Sequence, residues 1–267
     1  MKKFLSLVLA LTMAMSLVVV NTSAKEFTDN DELNYKEAVD VISEIGVVDG
    51  YTDGSFNPQG GLTRGAAAKI ICNLILGPTT AAELHADTRP FSDVAINSEF
   101  AGYIAYCAQQ GIISGYADGE FKAANPLTGY AFMKMLLGAL GYDSDVESYV
   151  GENWSINVAK QAIGIGLNAG LVDEFNGVDY VTREEAALYA FNTLKATLVD
   201  YDNKITADVN GASVTISNNT AKPVTWSEGR NNDGNIKDDG FVQFAEEYFP
   251  DLVRKDDYTK FMGPANI

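Results

Sequence analysis

Gly46-Val47-Val48-Asp49-Gly50-Tyr51-Thr52-Asp53-Gly54-Ser55-Phe56 recurs as Gly111-Ile112-Ile113-Ser114-Gly115-Tyr116-Ala117-Asp118-Gly119-Glu120-Phe121, an offset of 65 throughout. Leu62-Thr63 and Leu127-Thr128 keep that offset. A third, eroded copy reads Gly166-Leu167-Asn168-Ala169-Gly170-Leu171-Val172-Asp173-Glu174-Phe175, followed by Val181-Thr182; it has lost one turn residue and the Tyr. Self-similarity at such a period marks a repeat architecture.

Each copy has the same order of parts. An opening segment comes first: Phe27-Thr28-Asp29, Phe91-Ser92-Asp93, and the stretch around Trp154. A helix follows, its apolar residues three and four apart: Ala38, Val41, Ile42 and Ile45; then Phe100, Tyr103, Ile104, Cys107 and Ala108; then Ile156, Ala159 and Ile163. Gly46, Gly111 and Gly166 stand where a left-handed C-cap is expected. The glycine-rich loop then turns, its Tyr and Phe folding back onto the helix. A second helix starts at Thr63, Thr128 or Thr182, each an N-cap by residue type. Only Thr182-Arg183-Glu184-Glu185 has the acid for a full capping box; Ala66 and Ala131 occupy that place in the other copies. One such unit is too small to bury its apolar faces alone. The expected fold is therefore all-α: three helix-loop-helix repeats packed as a pseudo-threefold bundle, with a small C-terminal α/β appendage. The expected boundaries are residues 25–78, 88–142 and 150–197.

The ends read differently. Lys2 and Lys3 precede an uncharged apolar run from Phe4 to Val20, and Asn21-Thr22-Ser23-Ala24 supplies small residues for cleavage, so residues 1–24 read as a secretory signal peptide. After Thr197, Lys204–Val209 and Ala212–Ser217 alternate around Asn210-Gly211, a hairpin signal. Asn218 to Gly240 reads as a loop or linker, and Phe241–Arg254 as a short amphipathic helix. Residues 198–267 would then be an accessory module or the start of a longer one.

Of the 267 residues, 36 are Asp or Glu and 19 are Lys or Arg, a net charge of −17. Removal of Lys2 and Lys3 with the leader makes this −19. That balance argues against nucleic acid as a partner, because phosphate binding needs a basic face. Two Cys and one His exclude a disulfide-dense scaffold and a Cys/His zinc site. Asp49 with Asp53-Gly54 is an incomplete calcium-loop pattern. His85, in the loop after the first repeat, reads as a solvated side chain. Cys72 and Cys107 fall on apolar faces of helices in different repeats; buried thiols and a disulfide between repeats both fit.

The Phe-x-Asp opening, the Gly-Ile-x-x-Gly-Tyr-x-Asp-Gly-x-Phe core and the Thr-Arg start of the second helix resemble the S-layer homology (SLH) repeat. The resemblance spans about 170 residues and is weakest in the third copy. It implies non-catalytic anchoring of an exported protein to the bacterial cell wall, through secondary cell-wall polysaccharide, often pyruvylated, held in grooves between repeats. From the residues themselves no cofactor or metal is expected, and because no later segment is long and apolar enough to cross a bilayer, no membrane contact is expected once the leader is removed. Self-association in a surface layer is a further implied partnership. An SLH-bearing glycan-active enzyme with its catalytic region elsewhere, and a protein–protein scaffold, are the competing readings.

A pyruvate ketal is a carboxylate on a sugar. Arg64 and Arg183 stand at first helical positions, where free amides and the helix dipole favour an anion and a guanidinium adds a matching fork. Thr63 and Thr182 sit beside them, and Gly129 replaces the Arg in the second copy. The expectation is two exposed arginines making the strong contacts and a weaker site at Gly129. Asp29 and Asp93 are candidates for sugar hydroxyls, or for Asx-type turns. Trp154 is a candidate stacking face, or core. Tyr51 and Tyr116 read as structural.

Overall fold

The computed structural model describes residues 26–201, 205–209, 212–216, 220–226, 236–252, 254–255 and 260–261. The leader expected at residues 1–24 lies outside them. The body is mainly helical: α1 Lys36–Glu44, α2 Arg64–Leu76, α3 Pro78–Ala82, α4 Ala101–Gln109, α5 Gly129–Ala139, α6 Trp154–Gly164 and α7 Arg183–Leu194. Each repeat contributes a first helix (α1, α4, α6) and a second helix (α2, α5, α7). Gly46, Gly111 and Gly166 take φ of 75°, 71° and 80°, the left-handed conformation needed to leave the first helix.

The helices pair across repeats rather than within them. α4 packs on α2, α6 on α5, and α1 on α7. Every first helix thus lies on the second helix of the neighbouring repeat, and the chain ends of the body meet. Immediately before the second helices, three extended residues form a closed hydrogen-bond cycle: Leu62 N–H to Val181 O, Val181 N–H to Leu127 O, and Leu127 N–H to Leu62 O, each 2.9 Å. The central side chains of this junction are buried. Such burial is available to three units together and to none alone.

Inside each intact repeat the opening segment locks the loop. The rings of Phe27 and Phe56 lie 5.2 Å apart, and those of Phe91 and Phe121 5.3 Å. Gly50 and Gly115 permit this, since a Cβ would fall 2.5 Å and 2.6 Å from the Phe27 and Phe91 rings. The loop Phe is buried as expected, but Tyr51 and Tyr116 are about half exposed. They lie over arginines of the neighbouring repeat and not on their own helix.

Two other expectations are corrected. In α6 the buried residues are Val158 and Ala162, while Ile156 and Ile163 are 65% and 46% exposed. The helix turns a different face inward because Val158 and Ala162 are four apart and also fit a helical stripe. After Thr197 the chain does not leave the body. β1 Val199–Asp200 pairs with β4 Lys222–Pro223, and Val224, Val242, Phe244 and Leu252 join the helical core. Leu198, Val224 and Val242 make a second cycle, Leu198 N–H to Val242 O, Val242 N–H to Val224 O and Val224 N–H to Leu198 O. The segment read as a linker is therefore partly core, drawn in by apolar residues too sparse to show a period. The terminal helix is only α8, Phe244–Tyr248, packed on α2 and α7. The hairpin is present as β2 Ile205–Val209 paired antiparallel with β3 Ala212–Ile216. β5 Arg254–Lys255 pairs with β6 Lys260–Phe261.

Candidate functional site

The first two amides of each second helix are not free. The first two N–H groups of α2 donate to Asn125 O and Ala123 O, both at 2.9 Å. Those of α5 donate to Asp179 O and Gly177 O, and those of α7 to Gly60 O and Pro58 O. The third amide of α2 is taken by the Thr63 hydroxyl, and that of α7 by Thr182, within a full capping box with Glu185. Thr128 makes no side-chain cap. The anion site expected at these helix ends is thus occupied by loop carbonyls of the next repeat. Thr63 and Thr182 are caps first.

The arginines are half-buried rather than exposed. Arg64 Nε donates to Phe121 O at 2.8 Å and a terminal nitrogen to Ser114 O at 3.2 Å. Its guanidinium lies 4.4 Å from the Phe121 ring centroid and 4.9 Å from that of Tyr116. Arg183 repeats the arrangement on repeat 1, donating to Phe56 O at 2.9 Å and Asp49 O at 2.8 Å, over Phe56 and Tyr51. Burial lowers the pKa of both. Each arginine ties its own repeat to the loop of the next, and removing it affects the fold as well as any ligand.

The third equivalent position is Gly129. A Cβ there would sit 3.0 Å from Gly177 Cα and 3.2 Å from the Phe175 ring. The following residue, Tyr130, covers the loop of repeat 3: its ring is 5.9 Å from Phe175 and 6.5 Å from Trp154, edge-on to both. A Cβ on Gly177 would lie 2.2 Å from the Tyr130 ring. A side chain at position 129 therefore requires Gly177 and Phe175 to give way by a few tenths of an ångström.

A groove of about 460 Å³ runs between repeats 2 and 3, lined among others by Arg64, Tyr116, Lys134, Tyr149 and Trp154. Lys134 is half-buried, and its ammonium donates to Tyr149 O at 2.7 Å and lies 6.0 Å from the Trp154 ring. Burial lowers its pKa. Among the described residues, no carboxylate lies within ion-pair distance of Arg64 or Lys134. Tyr149 is 2% exposed and its hydroxyl has no partner among the described residues. Trp154 is partly buried and faces both core and groove. Lys134 and Tyr149 were not legible as site residues, although Lys134 repeats Lys69 at the offset of 65.

Two other cavities are acidic, and a third adjoins the groove, sharing Lys134 and adding Asp143 and Asp145. The one beside Tyr51 is lined by Asp29, Glu32 and Asp53 with Ser55 and Asn57. The one beside Gly129 is lined by Asp173, Glu174, Asp179 and Glu185. Asp29 accepts from Phe56 N–H at 2.8 Å and Asn57 N–H at 2.7 Å; Asp93 accepts from Phe121 N–H and Lys122 N–H at the same distances. Desolvation works to raise both carboxyls, but these amide bonds outweigh it and hold them below the ordinary value. Both aspartates therefore spend their oxygens closing the loop of their own repeat. His85 is exposed and 3.6 Å from Asp87. Among the described residues, no three His, Cys, Asp or Glu side chains converge as metal ligands, and no helix is long and apolar enough to cross a membrane.

The S-layer homology domain family matches residues 26–68 and 90–129; the third copy lies outside both matches. The chain is 26% identical over 182 residues to a surface layer protein of Brevibacillus choshinensis, covering 66% of this chain and 16% of that one. It is 27% identical over 241 residues to a surface-layer 125 kDa protein of Lysinibacillus sphaericus, covering 84% and 20%. It is also 26% identical over 182 residues to an uncharacterised cell wall amidase of Bacillus anthracis, covering 65% and 33%. The chain thus spans a third or less of the length of these relatives. It carries S-layer homology repeats and is a secreted, cell-wall-associated surface protein.

Proposed function

We propose that this chain anchors an exported protein non-covalently by taking an anionic, pyruvylated segment of secondary cell-wall polysaccharide into the groove between repeats 2 and 3. The observation that carries this reading is a pair of half-buried cations, Arg64 and Lys134, with no carboxylate in ion-pair contact among the described residues of a chain at −17; Asp93 and Asp145 act on them only from longer range. A buried cation favours a counter-charge, and a ligand carboxylate supplies one. Trp154 and Tyr116 offer ring faces for a pyranose, and Tyr149 a hydroxyl that lacks a partner among the described residues. The cyclic hydrogen bonds at Leu62, Leu127 and Val181 support a pseudo-threefold bundle as the frame. Among the described residues, the groove beside Arg64 combines an arginine with a lining free of acids, while the cavities beside Tyr51 and Gly129 are lined by acids.

In this reading the chain is a binding module and performs no catalysis. The surface-layer proteins among its relatives favour that over the enzyme reading, for which the amidase relative is the one specific observation. Self-association in a surface layer would be added by regions other than the groove. The test is sedimentation with purified walls. Binding should be lost on walls stripped of secondary polysaccharide and on walls lacking the pyruvyl group. Undiminished binding to stripped walls would refute the proposal.

A further inference from the structure

α2 of repeat 1 and α4 of repeat 2 pack directly, and their contact contains both cysteines of the chain. Cys72 Sγ and Cys107 Sγ are 3.5 Å apart, and both residues are fully buried as free thiols in this structure. Their remaining polar contacts are long ones to backbone carbonyls, Tyr103 O at 3.6 Å and Ala68 O at 3.7 Å. Two thiols of a secreted chain are thus held side chain to side chain across the junction of two repeats, in the compartment where disulfides persist.

We propose that Cys72 and Cys107 are joined by a disulfide in the exported protein, a covalent clamp between repeats 1 and 2. The oxidant is a small-molecule or protein disulfide. One cysteine thiolate attacks it and releases the first thiol of the reagent. The second cysteine thiolate then attacks the mixed disulfide and releases the other. The two cysteine protons end on the two released thiols, and the reagent disulfide is reduced as the protein one forms. The bond forms while the repeats are still assembling. In the packed body the Cys72 thiol is pushed up by its contact with Cys107 and by burial, and a thiol held protonated does not attack. The same burial then shields the bond from reductant. It closes a loop between positions 35 apart and constrains the unfolded chain.

The test is refolding of the full mature chain from denaturant in a buffer of reduced and oxidised glutathione, followed by denaturation with excess maleimide. The expected product is monomeric, takes up no maleimide until reductant is added, and yields a peptide linking Cys72 to Cys107. Its melting midpoint should fall by roughly 5–15 °C on reduction. The Cys72→Ala/Cys107→Ala variant should show no reductant-dependent shift. Two maleimides on the folded product, glutathione retained on either cysteine, or a disulfide-linked dimer would each overturn the proposal. So would a reductant shift that persists in the double variant.

Discussion

Arg64 and Gly129 occupy the same place in successive repeats, the first residue of a second helix laid on the loop of the next repeat. At Arg64 the guanidinium donates to Phe121 O and Ser114 O and stacks on two rings beside an open groove. At Gly129 the arginine is gone, Tyr130 lies on Gly177, and the nearby cavity is lined by four acids. The backbone bonds at the two junctions are the same. Repeat packing therefore requires the carbonyl–amide pairs and some filler on the loop, but not a cation. The cation is the separable part: Arg64 carries it beside an acid-free groove, Arg183 beside an acid-lined cavity, and Gly129 lacks it.

The comparison breaks most readily at Gly129. Gly129→Arg should destabilise the body by about 3 kcal/mol, the upper range for overpacking, because its Cβ meets Gly177 backbone. That corresponds to a melting midpoint roughly 6–12 °C lower in calorimetry. A midpoint equal to the parent's would mean that repeat 3 can open to admit a side chain.

Arg64→Ala and Arg183→Ala come next. Each removes two bonds from a charged donor to loop carbonyls, at a cost of about 2 kcal/mol by denaturant titration. The pair separates on wall binding: Arg64→Ala should abolish it, while Arg183→Ala should bind in proportion to its folded fraction. Equal loss in both would move the site away from one groove.

Acid should act on the two intact repeats alike. Asp29 and Asp93 have folded pKa values below the unfolded value of about 3.9, so the stability they contribute is complete above that pH. It is lost as the pH falls through the lower folded values. The Asp29→Asn/Asp93→Asn variant should show a weaker fall in melting midpoint below about pH 4 than the parent. A parallel fall would show that these carboxylates do not hold the loops through their charge.

Much of this difference was visible in the residues. The offset of 65, the N-cap threonines and the capping box at Thr182 announced the second helices, and the missing Arg at Gly129 announced unequal repeats. What was not visible depended on which repeat each element touches. The helix-end amides read as free because the sequence does not show that loop carbonyls of another repeat reach them. Arg64 and Arg183 read as exposed for the same reason. In α6, Ile156 and Ile163 suggested the inner face by their hydrophobicity, yet Val158 and Ala162 are the buried pair. The chain after Thr197 looked like a separate module because Leu198, Val224 and Val242 are scattered, and only their hydrogen-bond cycle shows them as part of one core.

The central claim is that one groove binds the anion, and Lys134 tests it with the least disturbance to the fold. Lys69 is its counterpart at the offset of 65, on the same face of α2, 5.9 Å from the Tyr103 ring. Calorimetry of a pyruvylated wall fragment should be run on the parent, Lys134→Met and Lys69→Met, with melting curves alongside. The account predicts a single class of site, an affinity about tenfold or more lower in Lys134→Met, as expected for a lost charge-assisted bond, and parent-like binding in Lys69→Met. Parent-like binding in Lys134→Met, or an equal loss in Lys69→Met, would contradict it.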